Sequence, residues 1–221
     1  MSDIEGKDIE FFGKITASMT HEFKNVLAII KESSGLMEDI TKIAPLSESQ
    51  HQEKFDNALK TIKNQLNRGM ELSTVFNRFA HAPDRSTAEI NLKDLAEQVV
   101  TLSRRFARLK HLTLKVAPEG EHDGNLHIKG NPVWLQMAVF TGIECCLNIL
   151  PPESGIILAS QSRQGRKCIR IDCTGNAKDK DQLSASLESE QSWKDLNGIM
   201  SVLGGHIEWL ENASGFELIF E

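Results

Sequence analysis

Two apolar stripes in the first third of the chain predict a helical hairpin. Large apolar residues recur three, four or seven positions apart, first over residues 12–44 and then over residues 55–79. This spacing places them on one face of a helix. The segment Ala44-Pro45-Leu46-Ser47-Glu48-Ser49 interrupts the pattern and predicts the turn between two antiparallel helices. Such a hairpin cannot bury its seam alone, so we expect a homodimer that completes a four-helix bundle.

The hydrophobic period changes after the linker at residues 81–86. The elements predicted there are, in order, an amphipathic helix from near Leu92, strands at residues 112–116 and 125–130, a largely buried helix from Pro132, a strand hairpin around Gln164-Gly165, a helix ending at Gly204-Gly205, and two strands around Ser214-Gly215. This order predicts a two-layer α/β sandwich. The predicted fold class is therefore α plus α/β, with a hairpin domain over residues 8–82 and a sandwich domain over residues 88–221.

Composition narrows the classes of function. The net charge of −6 gives no basic face for nucleic acid. No apolar run approaches the ~20 residues of a membrane span, and the N-terminus has no apolar signal-peptide core. The four cysteines show no CxxC spacing and are expected to be reduced, buried thiols rather than zinc ligands. We therefore expect a cytoplasmic protein without a metal.

A single histidine stands on the polar face of the first helix. With Met19 at the centre of the core face, His21 falls about 200° and Asn25 about 240° around the helix. His21 is thus not a core histidine, and its face carries no familiar set of metal ligands. We expect the residues near it to contact a partner: Ala17, Ser18 and Ala28, which would leave the backbone accessible, and the flanking Lys14 and Lys24.

The residues beside His21 suit nucleophilic chemistry. A neutral imidazole has one unprotonated, nucleophilic ring nitrogen. The neighbouring Glu22 could hold the other N–H, and Asn25, one turn along, could orient a water or an incoming phosphoryl group. A solvated surface histidine without chemistry is the alternative that the pattern leaves open.

The stretch Met19-Thr20-His21-Glu22-Phe23-Lys24-Asn25-Val26-Leu27 resembles the H-box of two-component sensor histidine kinases, with Val26 where proline is common. The resemblance implies that His21 carries a phosphoryl group and that Glu22 is its general base or orienter. Asn25 takes the position associated with dephosphorylating a partner. In outline the resemblance extends over the whole chain and implies a dimerisation hairpin followed by an ATP-binding type of α/β sandwich.

The nucleotide motifs of that family are altered here. Residues 130–150 resemble the N-box, but Thr141 and Cys145 replace its two asparagines, and a thiol is a poor magnesium ligand. Asp172 and Gly175 resemble the adenine-binding D-x-G-x-G with one residue too many between them. Residues 190–193 stand where a phosphate-binding glycine loop is expected, and they contain no glycine. The resemblance therefore implies only a vestigial nucleotide site at Thr141, Cys145, Asp172 and Gly175.

The favoured hypothesis is a histidine phosphotransfer protein that accepts phosphate at His21 from receiver-domain aspartates and returns it to them. It resembles the phosphotransferases built from a kinase-like dimer with a degenerate ATP domain, and it needs no cofactor. One alternative is a histidine kinase with an aberrant site for ATP and Mg²⁺. The other is a non-catalytic dimeric scaffold, or a receiver phosphatase that acts through Asn25.

Overall fold

A long helical hairpin and an α/β sandwich make up the chain. The computed structural model describes residues 6–43, 49–118, 126–163, 165–175, 180–210 and 214–220. It divides into two compact units, of which one is Thr16–Phe79 and the other combines the residues up to Ile15 with Ala80–Glu221. The first helix, α1 (Lys7–Ile43), contributes to both units. This differs from the predicted boundaries, which assigned the whole first helix to the hairpin.

The hairpin unit pairs α1 with α2 (Ser49–Ala80), as the apolar stripes predict. The predicted turn between them lies mostly outside the described residues. Met19 and Val26 of α1 and Leu72 of α2 are buried, whereas Leu27 and Met70 keep 64% and 62% of their surface exposed. The hairpin thus buries one side of its apolar surface and leaves another side open. The four-helix bundle of a dimer remains a prediction.

Over its described residues, the sandwich unit contains a short 3-10 helix (Ala82–Asp84), four more α-helices and seven strands. They are β1 (Ala88–Asn91), α3 (Leu92–Leu109), β2 (Thr113–Val116), β3 (His127–Gly130), α4 (Pro132–Ile149), β4 (Gly155–Arg163), β5 (Arg166–Thr174), α5 (Lys180–Ser189), α6 (Gln191–Val202), β6 (His206–Trp209) and β7 (Gly215–Phe220). Five strands form one sheet in the order β2-β4-β5-β7-β6, and β1 pairs with β3 in a separate ribbon. Only the β2–β4 pair in the five-stranded sheet is parallel. The predicted helical hairpin followed by an α/β sandwich is confirmed.

Helix α4 packs closely on the sheet. A Cβ atom at Gly142 would lie 2.7 Å from Cδ1 of Ile171 on β5, so the glycine permits this close approach. By length and composition α4 could cross a membrane, contrary to the sequence expectation, but 72% of it is buried inside the protein. Its apolar character is therefore accounted for by its position as the core helix of the sandwich.

Asparagine side chains fix the starts of α3 and α4. Asn91 Oδ1 accepts a hydrogen bond from the backbone N–H of Lys93 at 2.9 Å, and Asn131 Oδ1 accepts one from that of Val133 at 2.9 Å. Each cap satisfies a backbone donor that has no partner within its helix. The caps set where both helices begin and so fix the rotation of α4, which carries Thr141 and Cys145.

Candidate functional site

His21 lies on the exposed side of α1 in the hairpin unit. Asn25 is also exposed, as are Ala17, Lys24 and Ala28. These five residues therefore share a solvent-facing region, which is where the sequence pattern puts them. An imidazole in this setting is open to a second protein, because no side chain among the hairpin residues that the structure describes covers it.

Glu22 points in a different direction from His21. Its side chain is only 8% exposed, and its carboxylate accepts a hydrogen bond from Nη2 of Arg68 on α2. Helical geometry explains the difference, because successive residues are turned by about 100°. The predicted pairing of Glu22 with the His21 ring is thus replaced in this conformation by an ion pair between α1 and α2.

Of the predicted partner-contact residues, one is buried and another is paired with carboxylates of its own chain. Ser18 is 1% exposed, so its assignment to the accessible region is wrong. It precedes Glu22 by four residues and shares that residue's buried face.

Lys14 belongs to the sandwich unit, where its ammonium group lies 2.9 Å from Glu144 on α4 and 3.0 Å from Glu10. Burial lowers the pKa of Lys14, but hydrogen bonds to both carboxylates outweigh it, so the pKa is raised.

The first turns of α1 pack against α4 and α6. The ring of Phe11 is 4% exposed and its centroid lies 5.2 Å from that of Phe140 on α4. Lys7 forms an ion pair with Asp195 on α6. A cavity of about 40 Å³ remains beside these contacts, and Thr141 is among the residues that line it. The chain's own N-terminal helix therefore covers the surface of α4 near Thr141.

The altered positions on α4 are buried. Cys145 is fully buried, and Thr141 is 7% exposed. Burial raises the pKa of the Cys145 thiol to about 12, against a hydrogen bond with Ser192 that lowers it. A protonated thiol is a poor ligand for a hard cation. In the described part of the chain, no cluster of three or more His, Cys, Asp or Glu side chains is arranged to hold a metal ion.

Asp172 does not face α4, so it and Cys145 do not form one site. On β5 the inward-pointing residues are Ile171 and Cys173, and the Cys173 Sγ lies 3.5 Å from the Cys146 Sγ of α4. Strand side chains alternate between faces, so Asp172 points to the opposite face. There it accepts a hydrogen bond from Arg170 Nε at 2.6 Å. The assignment of Asp172 to a nucleotide site on the α4 side is therefore wrong.

The alternation of apolar and charged residues in Ile-Arg-Ile-Asp-Cys was a sequence signal that Asp172 points away from α4. It places Cys173 two residues before Gly175, which removes the extra residue from the D-x-G-x-G comparison and leaves a thiol in place of the carboxylate. Gly175 has φ +91°, a conformation that favours glycine, and its missing Cβ would lie 3.0 Å from the backbone of Ser154. A turn at the end of β5 thus accounts for Gly175.

Trp193 belongs to an aromatic cluster of the sandwich. Its ring stacks on Trp209 with centroids 4.9 Å apart and meets the edge of Phe216 at 5.0 Å. The side chain is 7% exposed, so it acts as a packing residue at the start of α6. Residues 190–193, where a glycine loop is expected, form the first turn of a helix instead.

Comparisons with known proteins give structural neighbours only. No protein-family model and no curated protein matches the chain. The histidine kinase AdeS of Acinetobacter baumannii has a TM-score of 0.46 and 12% identity, covering 91% of this chain and 97% of that one. The histidine kinase ThkA, solved with the response regulator TrrA, has 0.45 and 17%, covering 99% and 64%. The ATP-binding domain of PrrB from Mycobacterium tuberculosis has 0.45 and 17%, covering 62% and 96%. Scores and identities this low do not assign a family or an activity.

Proposed function

We propose that this chain is a histidine phosphotransfer protein of a two-component phosphorelay, which accepts a phosphoryl group at His21 from a receiver aspartyl phosphate and passes it to a second receiver. The observation that carries the proposal is the exposed His21 beside an ion pair between a buried carboxylate and a partly exposed guanidinium on a helical hairpin. An exposed imidazole can be reached by a receiver domain, and a helical hairpin can supply the positioning on which phosphoryl transfer depends.

The transfer needs no cofactor of its own. The unprotonated ring nitrogen of His21 attacks the phosphorus atom, an N–P bond forms, and the P–O bond to the receiver carboxyl breaks with its electron pair on the carboxylate. Both the acyl phosphate and the phosphohistidine are energetic, so the reaction can run in either direction. Reduced, buried thiols also agree with the proposed cytoplasmic location.

The chain is proposed to lack a phosphate source of its own. The family resemblance assigns three places in the chain to nucleotide binding. They hold the buried thiol of Cys145, the carboxylate of Asp172 on the face of the sheet away from α4, and the first turn of α6, which has no glycine. A sandwich of this kind is a degenerate ATP domain, and we propose that the phosphate arrives from outside.

Magnesium-ATP tests this proposal directly. We expect millimolar magnesium-ATP to leave the melting temperature unchanged and to transfer no radiolabel from its γ-phosphate to the chain, because a ligand must bind the native state to stabilise it. The measurement is a thermal unfolding scan with and without nucleotide, beside an incubation with labelled ATP. A rise of about 2–4 °C would show that the nucleotide binds, and label on His21 would assign kinase activity.

The exposed apolar residues of the hairpin support a homodimer. Leu27 on α1 and Leu66 and Met70 on α2 are 64%, 52% and 62% exposed. At about 100° per residue they fall on the same side of the hairpin, and His21 falls on the other side. Pairing of two copies through this apolar side would bury it and leave both His21 rings accessible.

Replacing Met70 with Glu is expected to convert the dimer to a monomer, because a carboxylate in the seam would lose its hydration without gaining a partner. Light scattering with size-exclusion chromatography measures the molar mass. Leu36→Glu is the matched control, since Leu36 is also exposed on α1 but lies on the side of the hairpin away from the seam. A monomeric wild type at micromolar concentration would refute the dimer.

A further inference from the structure

An ion pair links the two helices of the hairpin directly beside His21. Nη2 of Arg68 on α2 donates to Oε2 of Glu22 on α1. The Glu22 side chain is 8% exposed, whereas the Arg68 side chain is 36% exposed. The carboxylate is therefore inside the hairpin, and the guanidinium lies at its rim with part of its surface in solvent.

The rim that carries Arg68 is the one that carries His21. Viewed along the axis of α1, His21 lies about 110° and Asn25 about 70° from the centre of the buried face. Both residues are rotated from it in the same direction. On α2, Arg68 is turned by about 60° from the centre of the buried face. Because the helices are antiparallel, these rotations bring all three residues to one side. Glu22 fixes the height, since it follows His21 directly and contacts Arg68.

A phosphoryl group on His21 would bring about two negative charges to this rim, next to the buried Glu22 carboxylate. Like charges this close raise the energy of the phosphorylated state. A guanidinium has five N–H donors, and within the described residues only one hydrogen bond of Arg68 is seen, the one to Glu22. Its remaining donors are available to phosphoryl oxygens, and the planar fork suits such contacts better than an ammonium group.

We propose that Arg68 is the phosphoryl-binding cation of this site, oriented by Glu22 so that its free N–H groups meet the oxygens of the group transferring to His21. This inference rests on the proposed phosphotransfer function and adds a residue from the second helix to it. Arg68 lowers the barrier by balancing charge that develops outside the hairpin, while Glu22 acts as the positioning residue. The bond changes remain those of the transfer itself, and no further reactant is needed.

The experiment measures transfer from receiver domains of the same organism, each loaded with radiolabelled acetyl phosphate. Arg68→Gln is expected to slow transfer at saturating receiver about ten- to a hundredfold, with little change in the receiver concentration that gives half the maximal rate. Arg68→Lys should recover part of the rate, because it restores charge without the fork. Lys60→Gln is the matched control, since Lys60 is an exposed cation of α2 that lies away from both this rim and the apolar side proposed for dimerisation.

A second variant separates this role from support of the fold. The pair Glu22→Leu with Arg68→Leu replaces the ion pair by an apolar contact, which commonly preserves or raises stability. We expect this double variant to melt no lower than the wild type and still to transfer as slowly as Arg68→Gln. If it transfers at the wild-type rate, Arg68 only supports the fold and the inference is overturned. An unlabelled wild type would overturn the phosphotransfer proposal itself.

Discussion

Replacing His21 with Gln is expected to abolish labelling of the chain by a phosphorylated receiver. Glutamine keeps a polar side chain of similar reach but has no nucleophilic ring nitrogen, so no N–P bond can form. The fold should be unaffected, because His21 is exposed and substitutions at such positions usually change the free energy of unfolding by less than about 0.5 kcal/mol. The measurement is acid-labile, alkali-stable label on the chain after incubation with the loaded receiver.

His81→Gln is the matched control for that experiment. His81 is also exposed, and its Nδ1 lies 2.7 Å from Asp84 in the turn after α2. Its replacement should leave labelling at the wild-type level. Label that persists on His21→Gln would mean that another residue carries the phosphoryl group. Loss of label from His81→Gln, with the wild type labelled, would contradict the assignment to His21 in the same way.

Replacing Phe11 with Ala is expected to lower the free energy of unfolding by about 3–5 kcal/mol. The ring is 4% exposed and packs on Phe140, so its removal leaves a cavity between α1 and α4. Urea unfolding followed by circular dichroism measures the loss. Such a loss would equal a large part of the total stability of an ordinary domain.

Ile9→Ala provides the comparison in the same part of α1. Ile9 is 75% exposed, so truncating it removes little buried surface and should cost less than about 0.5 kcal/mol. Equal losses for the two variants would mean that the first turns of α1 do not pack on α4 in solution. A large loss for Phe11→Ala alone supports the docking of these turns on the sandwich.

The regular elements could be predicted because their residues repeat with a clear period. The two long stripes predict the hairpin helices, and the largely apolar run from Pro132 predicts α4. Strand β1 was missed because its four residues, Ala88-Glu89-Ile90-Asn91, contain one large apolar side chain and pair only with β3. Helix α5 was missed because it has only ten residues and two large apolar side chains, Leu183 and Leu187. Tertiary packing decides such short segments, and it leaves little trace in the local pattern.

The candidate site was predictable along one helix but not between helices. His21 and Asn25 were placed correctly because both depend only on rotation about α1. Ser18 was misplaced because the sequence analysis set Met19 at the centre of the buried face, whereas that centre lies closer to Glu22. The apolar stripe of α1 alone did not reveal the difference. Arg68 was missed altogether, since an arginine between Leu66 and Met70 reads as a solvated position until the opposite helix is known.

The shared helix α1 has a practical consequence for anyone who wishes to study the two units apart. A cut in the linker near Pro83 would sever α2 from the sandwich, but α1 would still hold Phe11 on α4 and continue into the hairpin. A recombinant sandwich begun at residue 80 would expose the apolar surface that Phe11 covers, which invites aggregation. A stable fragment of the sandwich would therefore need residues 7–15, supplied as a separate peptide or joined to it by circular permutation.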